Sequence, residues 1–168
     1  IICALFQGEE TFEMSVHWGV VPAQPDEPGF REWLTSAALE IPAMSGRFPT
    51  LDEFMGAIQS FEGLPIQQET LGESLYRISL GEPYSEQWAC ILGQVGDDRF
   101  QFHFDGSGNR EITMMAILKS LAGVCGPFIL YESIAATPVI IESSTNVEQA
   151  REDWRKRIRK QYSENMAE

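Results

Sequence analysis

The sequence predicts an α+β fold: a mainly antiparallel sheet of about six to seven strands with helices packed around it. Short segments in which apolar and polar residues alternate recur along the chain and are joined by tight turns, as in antiparallel sheets. Longer segments with helical spacing are grouped between runs of strands, which favours α+β over a doubly wound fold. The chain has 168 residues, so we expect residues 1–168 to form a single domain.

The N-terminal third predicts two strands and two helices. Ile1–Phe6 is an apolar run, too short for a signal peptide and suited to a strand. Residues 12–20 alternate cleanly and predict a second strand, and a proline-rich connector from Pro22 to Pro28 follows. Apolar residues at helical spacing then predict helices over 30–41 and 51–61, the second opened by the capping-box pattern Thr50-Leu51-Asp52-Glu53.

The rest of the chain predicts an antiparallel meander, a buried helix, two strands and a terminal helix. Gly96-Asp97-Asp98 is a short connection typical of a hairpin turn. Asn109 is expected to cap the buried helix, and Gly123 to end it. Pro138 introduces the last strand, a position that either a sheet edge or the start of a strand allows. The predicted strands are 76–80, 88–92, 100–104, 128–131 and 139–141, and the predicted helices are 110–122 and 147–166.

Composition excludes several classes of protein. The formal net charge is -13, which opposes duplex nucleic-acid binding through phosphate neutralisation. No run approaches the roughly 18 to 20 apolar residues that span a bilayer. The three cysteines, Cys3, Cys90 and Cys125, are far apart in apolar surroundings, which is typical of reduced core cysteines and predicts a cytoplasmic protein.

Signatures of enzymes, cofactors and metal sites are weak. The chain lacks phosphate-loop spacing and a nucleophile elbow, so we expect no cofactor and no enzymatic activity. Asp105, Ser107 and Asn109 have the oxygen spacing that begins a calcium loop, but Arg110 and Ala116 stand where glycine and glutamate are required, and we predict no metal. His17, His103 and Asp105 lie on polar strand faces and are interpreted as surface residues; a small hydrolase using His103 and Asp105 is the weakest hypothesis.

Charge is unevenly distributed. Residues 1–150 hold 21 acidic and 6 basic side chains, whereas residues 151–168 hold 4 acidic and 6 basic ones. The predicted helix over 147–166 is therefore basic and amphipathic, and it either contacts an anionic surface or RNA, or docks on its own domain. We favour docking, because the acidic body is the nearest counter-charge.

The leading functional hypothesis is a protein-binding inhibitor of a basic partner, specifically a bacterial immunity protein that neutralises a cognate toxin such as a nuclease. Acidic loops suit a basic partner, because complementary charge accelerates encounter. The alternative is a secretion chaperone or adaptor that holds an effector segment at a sheet edge, as a homodimer rather than a monomer. The predicted partner-binding residues are Glu9, Glu10, Asp26, Glu27, Glu82, Glu86, Asp97, Asp98, Asp105, Trp18, Tyr84 and Trp88, with Tyr131 as a further aromatic anchor.

Overall fold

A computed structural model describes residues 17–106, 108–134 and 136–165, and within them the predicted α+β class with an antiparallel sheet is confirmed. The strand predicted at Ile1–Phe6 and the first part of the strand predicted at 12–20 lie outside the described residues. The strands are β1 (Trp18–Pro22), β2 (Ile66–Gly72), β3 (Leu75–Leu80), β4 (Ala89–Gly96), β5 (Arg99–Phe104), β6 (Phe128–Glu132) and β7 (Pro138–Ile141). The helices are α1 (Pro28–Ser36), α2 (Leu51–Gln59), α3 (Glu111–Cys125) and α4 (Val147–Asn165).

The seven strands form one sheet in the order β2-β3-β4-β5-β1-β6-β7, and every neighbouring pair is antiparallel. The predicted meander is present as β3, β4 and β5, extended by β2 at one edge. β1 lies between β5 and β6, where Trp18 pairs with Phe104 on one side and with Glu132 on the other. This position brings the start of β1 beside the end of β5, although they are far apart in sequence.

The hairpin predicted at Gly96-Asp97-Asp98 joins β4 to β5. Asp97 and Asp98 have φ angles of 49° and 59°. A two-residue hairpin turn of the type that matches strand twist requires a positive φ at both central positions, and aspartate tolerates that conformation better than most residues. The turn chemistry visible in the sequence therefore sets the register of this pair.

Strand β2 is missing from the sequence prediction. Its residues are mostly Gln, Glu, Thr and Gly, and all but Ile66 are exposed. An edge strand of this kind buries little apolar surface, so it leaves no clear alternation to detect. Its ladder with β3 is regular from Ile66 to Thr70 and shifts register before Gly72.

Two predicted helix ends are wrong. The first helix ends at Ser36 rather than Ile41, because Ala38 has a φ of 55° and leaves the helical conformation. The buried helix α3 continues through Gly123 and ends at Cys125, followed by Gly126 with a φ of 81°. A Cβ on Gly126 would lie 2.6 Å from the Ser45 carbonyl oxygen, so close backbone approach and a positive φ both require glycine there rather than at 123.

The face of the sheet that carries Phe100, Phe102 and Phe104, called here the inner face, holds the main core. Helices α2, α3 and α4 pack on this face. The Phe54 ring of α2 lies 5.0 Å from Phe100 and 4.9 Å from Phe102, centroid to centroid. Trp154 of α4 is fully buried, which anchors the terminal helix in the same core.

The opposite, outer face is divided into a covered part and an open part. Over β1 and β6, helix α1 covers it: Leu34 and Ile129 are fully buried outside the main core, and the Trp33 ring lies 5.3 Å from Tyr131. Over β2 to β5 the outward side chains are mainly polar and, apart from the buried Cys90, are exposed or half-buried: Gln67, Glu69, Leu75, Arg77, Ser79, Leu92, Gln94, Arg99, Gln101 and His103.

Candidate functional site

The predicted acidic residues separate to opposite ends of the sheet. Glu82 and Glu86 lie in the loop formed by residues 81–88, called here the β3–β4 loop, whereas Asp97 and Asp98 form the β4–β5 turn. Strand β4 connects these ends and has eight residues, which corresponds to about 25 Å. The two acidic pairs are therefore too far apart to lie together at the centre of one interface of ordinary size.

Among the remaining acidic candidates, Asp105 lies at the same end of the sheet as the β3–β4 loop, where its amide donates to the Cys90 carbonyl oxygen at 2.8 Å. Asp26 and Glu27 are exposed and precede α1, near the end of β1 that is distant from the β3–β4 loop. Glu9 and Glu10 lie outside the described residues. The β3–β4 loop is thus the site at which predicted acidic and aromatic residues come together.

The β3–β4 loop is fastened to the segment that precedes α3. The Arg110 guanidinium donates from Nε to the Ser85 carbonyl oxygen at 2.9 Å and from Nη2 to the Tyr84 carbonyl oxygen at 3.0 Å. The Arg110 amide also donates to the Trp88 carbonyl oxygen at 3.0 Å. These three bonds fix the loop backbone, a role for Arg110 that no pattern in the sequence indicates.

Tyr84 is the exposed aromatic residue of this loop. Its side chain is 72% exposed, and its φ of 62° turns the backbone at the loop tip. The Tyr84 ring rests on Trp88, with centroids 4.9 Å apart, while Trp88 itself is half-buried. A Cβ on Gly108 would lie 2.0 Å from the Trp88 ring, so this stack depends on glycine at 108.

Trp18 and Tyr131 are not exposed anchors of the kind predicted. The Trp18 ring faces the inner core and lies 5.4 Å from Trp154. Tyr131 is half-buried against Trp33 of α1. Both rings therefore contribute to packing, which leaves Tyr84 as the exposed member of the predicted aromatic set among the described residues.

The predicted helix cap at Asn109 is wrong. Arg110 occupies the N-cap position of α3 and makes no side-chain capping bond. The buried Asn109 amide instead accepts from the Cys90 backbone N–H at 2.7 Å and donates to the Asp105 and Gly106 carbonyl oxygens at 2.8 and 3.0 Å. Asn109 thus ties the β5–α3 loop to β4, and its side-chain oxygen is engaged by the backbone. Ser107 lies outside the described residues.

Asp105 lies beside both histidines of the chain. The Asp105 Oδ1 to His17 Nδ1 distance is 3.4 Å, and the rings of His17 and His103 have centroids 6.4 Å apart. One ligand atom from each of the three residues falls within 4.8 Å of the others. Burial lowers the pKa of His103, an effect that the Asp105 carboxylate opposes. Sequence reasoning placed these residues on polar faces without relating the two strands.

A pocket of about 300 Å³ lies on the inner side of the same sheet end, lined by Trp18, Glu111, Glu132, Arg155, Ile158, Arg159 and Tyr162. The buried Glu132 carboxylate accepts backbone N–H bonds from Ile134 at 2.6 Å and Thr137 at 3.3 Å. Burial, and secondarily Glu132, raises the pKa of Tyr162. Sequence reasoning missed Glu132, although an acid at an inward position of the apolar run Phe128–Glu132 is a signal for a buried carboxylate.

A second pocket, of about 550 Å³, lies between the end of α1, the start of β7 and α4. Neither pocket is lined by His103 or Asp105. The geometry of these two cavities therefore adds nothing to the hydrolase hypothesis, which depends on those residues.

The basic terminal helix docks on its own domain. The Trp154 indole N–H donates to the Thr137 carbonyl oxygen at 2.8 Å, and Arg157 Nη2 donates to the Pro138 carbonyl oxygen at 2.9 Å. Arg155 Nε pairs with Glu111 of α3 at 2.6 Å. The other ion pairs of α4 in the described residues join members of the helix itself: Arg151–Glu148, Lys156–Asp153 and Lys160–Glu164. Within the described residues, the Arg155–Glu111 pair is therefore the ion pair that joins this helix to another element.

The cysteines in the described part of the chain are buried and free. Burial is the main cause that raises the pKa of both the Cys90 and the Cys125 thiol. A raised pKa lowers the thiolate fraction, so neither residue is prepared for nucleophilic chemistry. Cys3 lies outside the described residues.

Comparisons with protein-family models, with curated proteins and with solved structures find no match. Among the described residues, no helix has the length and apolarity needed to cross a bilayer.

Proposed function

We propose that the protein binds a basic protein partner through the β3–β4 loop and inhibits it, as a bacterial immunity protein inhibits a cognate toxin such as a nuclease. The observation that carries the proposal is the exposed Tyr84 side chain on an anchored loop that also carries the exposed Glu82 and Glu86. The partner's contribution would be Arg and Lys side chains around a pocket for the tyrosine ring.

The Arg110 guanidinium contacts this loop through the backbone carbonyl oxygens of Tyr84 and Ser85 rather than through the loop carboxylates. Glu82 and Glu86 are exposed and have no ion pair within the described part of the chain. Helix α4 carries half of the basic residues of the chain, and three of the four ion pairs that it makes within the described residues join it to its own acids. Unpaired carboxylates create the field that accelerates association with a basic surface and disfavours acidic partners.

The exposed Tyr84 is the second feature that supports a protein-binding surface at this loop. Tyrosine is enriched among interface residues whose truncation costs more than about 2 kcal/mol. Because Arg110 and Trp88 already hold the Tyr84 segment, binding orders little additional backbone. An anchored loop with one exposed ring and flanking carboxylates suits an inhibitor that presents a preformed surface.

The partner can be identified by photocrosslinking in cells of the protein's natural source. Benzoylphenylalanine at position 84 should capture a basic protein, whereas the same amino acid at position 98, in the β4–β5 turn, should capture it much less. Added in equimolar amount, the wild-type protein should then abolish the activity of the captured partner. Full partner activity in a saturated complex would contradict inhibition.

A matched pair of charge reversals tests the location of the surface. The double variants Glu82→Lys/Glu86→Lys and Asp97→Lys/Asp98→Lys change the net charge by the same amount at opposite ends of the sheet. At low salt, the first should slow association about tenfold or more, and the second should slow it less. An equal or larger effect of the turn variant would contradict the loop assignment.

The adaptor hypothesis remains the second candidate because strand β2 is an exposed sheet edge to which an extended segment could add. The other edge, β7, is less suited, since Pro138, Val139 and Ile141 are buried. Oligomeric state separates the two functions. A monomer in a one-to-one complex with a folded partner supports inhibition, and a stable homodimer bound to an unfolded segment supports the adaptor.

A further inference from the structure

The cluster of His17, His103 and Asp105 has the geometry of a metal site. The pairing of Trp18 with Phe104 places His17 directly opposite Asp105, and His103 lies two residues before Asp105 on the same outer face. The chain contains two histidines in total, and both are in this cluster. We propose that these three residues bind one divalent transition-metal ion of the zinc class.

The separation between the His17 and Asp105 donor atoms fits a tetrahedral ion. Zinc lies about 2.0 to 2.2 Å from nitrogen and oxygen ligands, so neighbouring ligand atoms of a tetrahedral site are about 3.4 Å apart. The His17 Nδ1 to Asp105 Oδ1 distance is 3.4 Å. Because all three donor atoms fall within 4.8 Å of one another, small side-chain rotations bring His103 to the same ion.

The backbone that carries the ligands is held by hydrogen bonds. The His17 amide donates to Ser133 Oγ at 3.2 Å, and the Ser133 amide donates to the His17 carbonyl oxygen at 2.9 Å. The Asp105 amide donates to the Cys90 carbonyl oxygen at 2.8 Å, and Asn109 donates to the Asp105 carbonyl oxygen. A supported ligand set lowers the cost of assembling the site around an ion.

The donor set decides the class of metal. Two imidazoles and one carboxylate suit zinc and neighbouring transition metals, whereas calcium and magnesium prefer sites built from oxygen. Three protein ligands leave a fourth position for water or another ligand. The His17 and Asp105 side chains are 51% and 30% exposed, so an ion reaches them from solvent. Asp105 then acts as a metal ligand rather than as a contact to a basic partner.

The test is a calorimetric titration of the full, untagged chain with Zn²⁺ after removal of metals by a chelator. The wild-type protein should bind one equivalent with a dissociation constant in the micromolar range or below. His103→Gln and Asp105→Asn should each weaken binding about tenfold or more. Calcium and magnesium should produce no saturable binding.

Two control variants and a second readout make the outcome decisive. Asp98→Asn removes an exposed carboxylate at the other end of the sheet, and Cys90→Ser removes the thiol of the residue paired with Asp105; both should bind Zn²⁺ like the wild type. If His103→Gln does not fold by circular dichroism, the more exposed His17→Gln replaces it. Co²⁺ bound to the wild type should show the visible absorption of a tetrahedral site.

Unchanged affinity in the histidine and Asp105 variants would overturn the proposal, and so would the absence of a one-to-one titration. In either case the His17–Asp105 contact is an ordinary cross-strand pair. Because the metal experiment requires no partner, its failure leaves the protein-binding proposal intact.

Discussion

The two faces of the sheet differ in what their residues do. Strand β5 alternates between them: Phe100, Phe102 and Phe104 enter the inner core, while Gln101 and His103 point to the outer face. The inner face is covered by three helices, whereas the outer face over β2 to β5 is mainly polar. One alternating pattern therefore separates residues that stabilise the fold from residues available for chemistry.

The sharpest test of this difference replaces neighbours on one strand. Phe102→Ala should lower the free energy of unfolding by about 3–5 kcal/mol, because it removes a buried ring that contacts Phe54 and Phe104. Gln101→Ala, on the exposed outer face, should change it by less than about 0.5 kcal/mol. Denaturant unfolding of both variants measures the contrast, and similar losses would contradict the two-face description.

The covered part of the outer face should behave as a second, smaller core. Leu34→Ala should destabilise the protein by about 2–3 kcal/mol, since Leu34 is fully buried beneath α1. Thr35→Ala, the exposed neighbour on the same helix, is the control and should have little effect. The same denaturant series measures both. A Leu34→Ala loss below about 0.5 kcal/mol would show that α1 adds no core of its own.

A smaller effect on stability is expected from the ion pair between Arg47 and Glu53 in the first turn of α2. The Arg47 guanidinium donates to both Glu53 carboxylate oxygens at 2.7 Å, and the Thr50 amide donates to the same group. These hydrogen bonds lower the pKa of Glu53 from its ordinary value of 4.5 to about 2, and the bond from Arg47 has the largest effect. Both side chains are partly exposed, so solvent screens the pair and its contribution is about 1 kcal/mol.

The contribution of Glu53 to the free energy of unfolding depends on pH, because its pKa differs between the folded and unfolded states. A carboxyl whose pKa is lower in the folded state stabilises the fold fully above its unfolded pKa and loses that contribution as the pH falls through the folded value. Glu53→Gln should therefore cost about 1 kcal/mol at pH 7, and the cost should shrink between pH 4.5 and about 2. Asp52→Asn, in the same turn without an ion pair in the described residues, is the control. A pH-independent cost in urea unfolding would contradict the assignment.

Much of the fold was predictable because its signals are local. Thr50 and Glu53 form the capping box that their spacing predicts, and Asp97-Asp98 form the predicted turn. Asn109 shows the limit of such signals. Its amide bonds to Cys90 on a neighbouring strand rather than to its own helix, and local propensity cannot distinguish these two uses of asparagine.

The candidate sites depend on which strands are neighbours. Alternation and helical spacing decide which residues face inward, because side-chain direction repeats every two or 3.6 residues in any tertiary context. They do not decide that β1 lies beside β5, which alone brings His17 to Asp105, or that Arg110 holds the β3–β4 loop. Those relations arise from strand order and from contacts between segments distant in sequence, which only the packed sheet establishes.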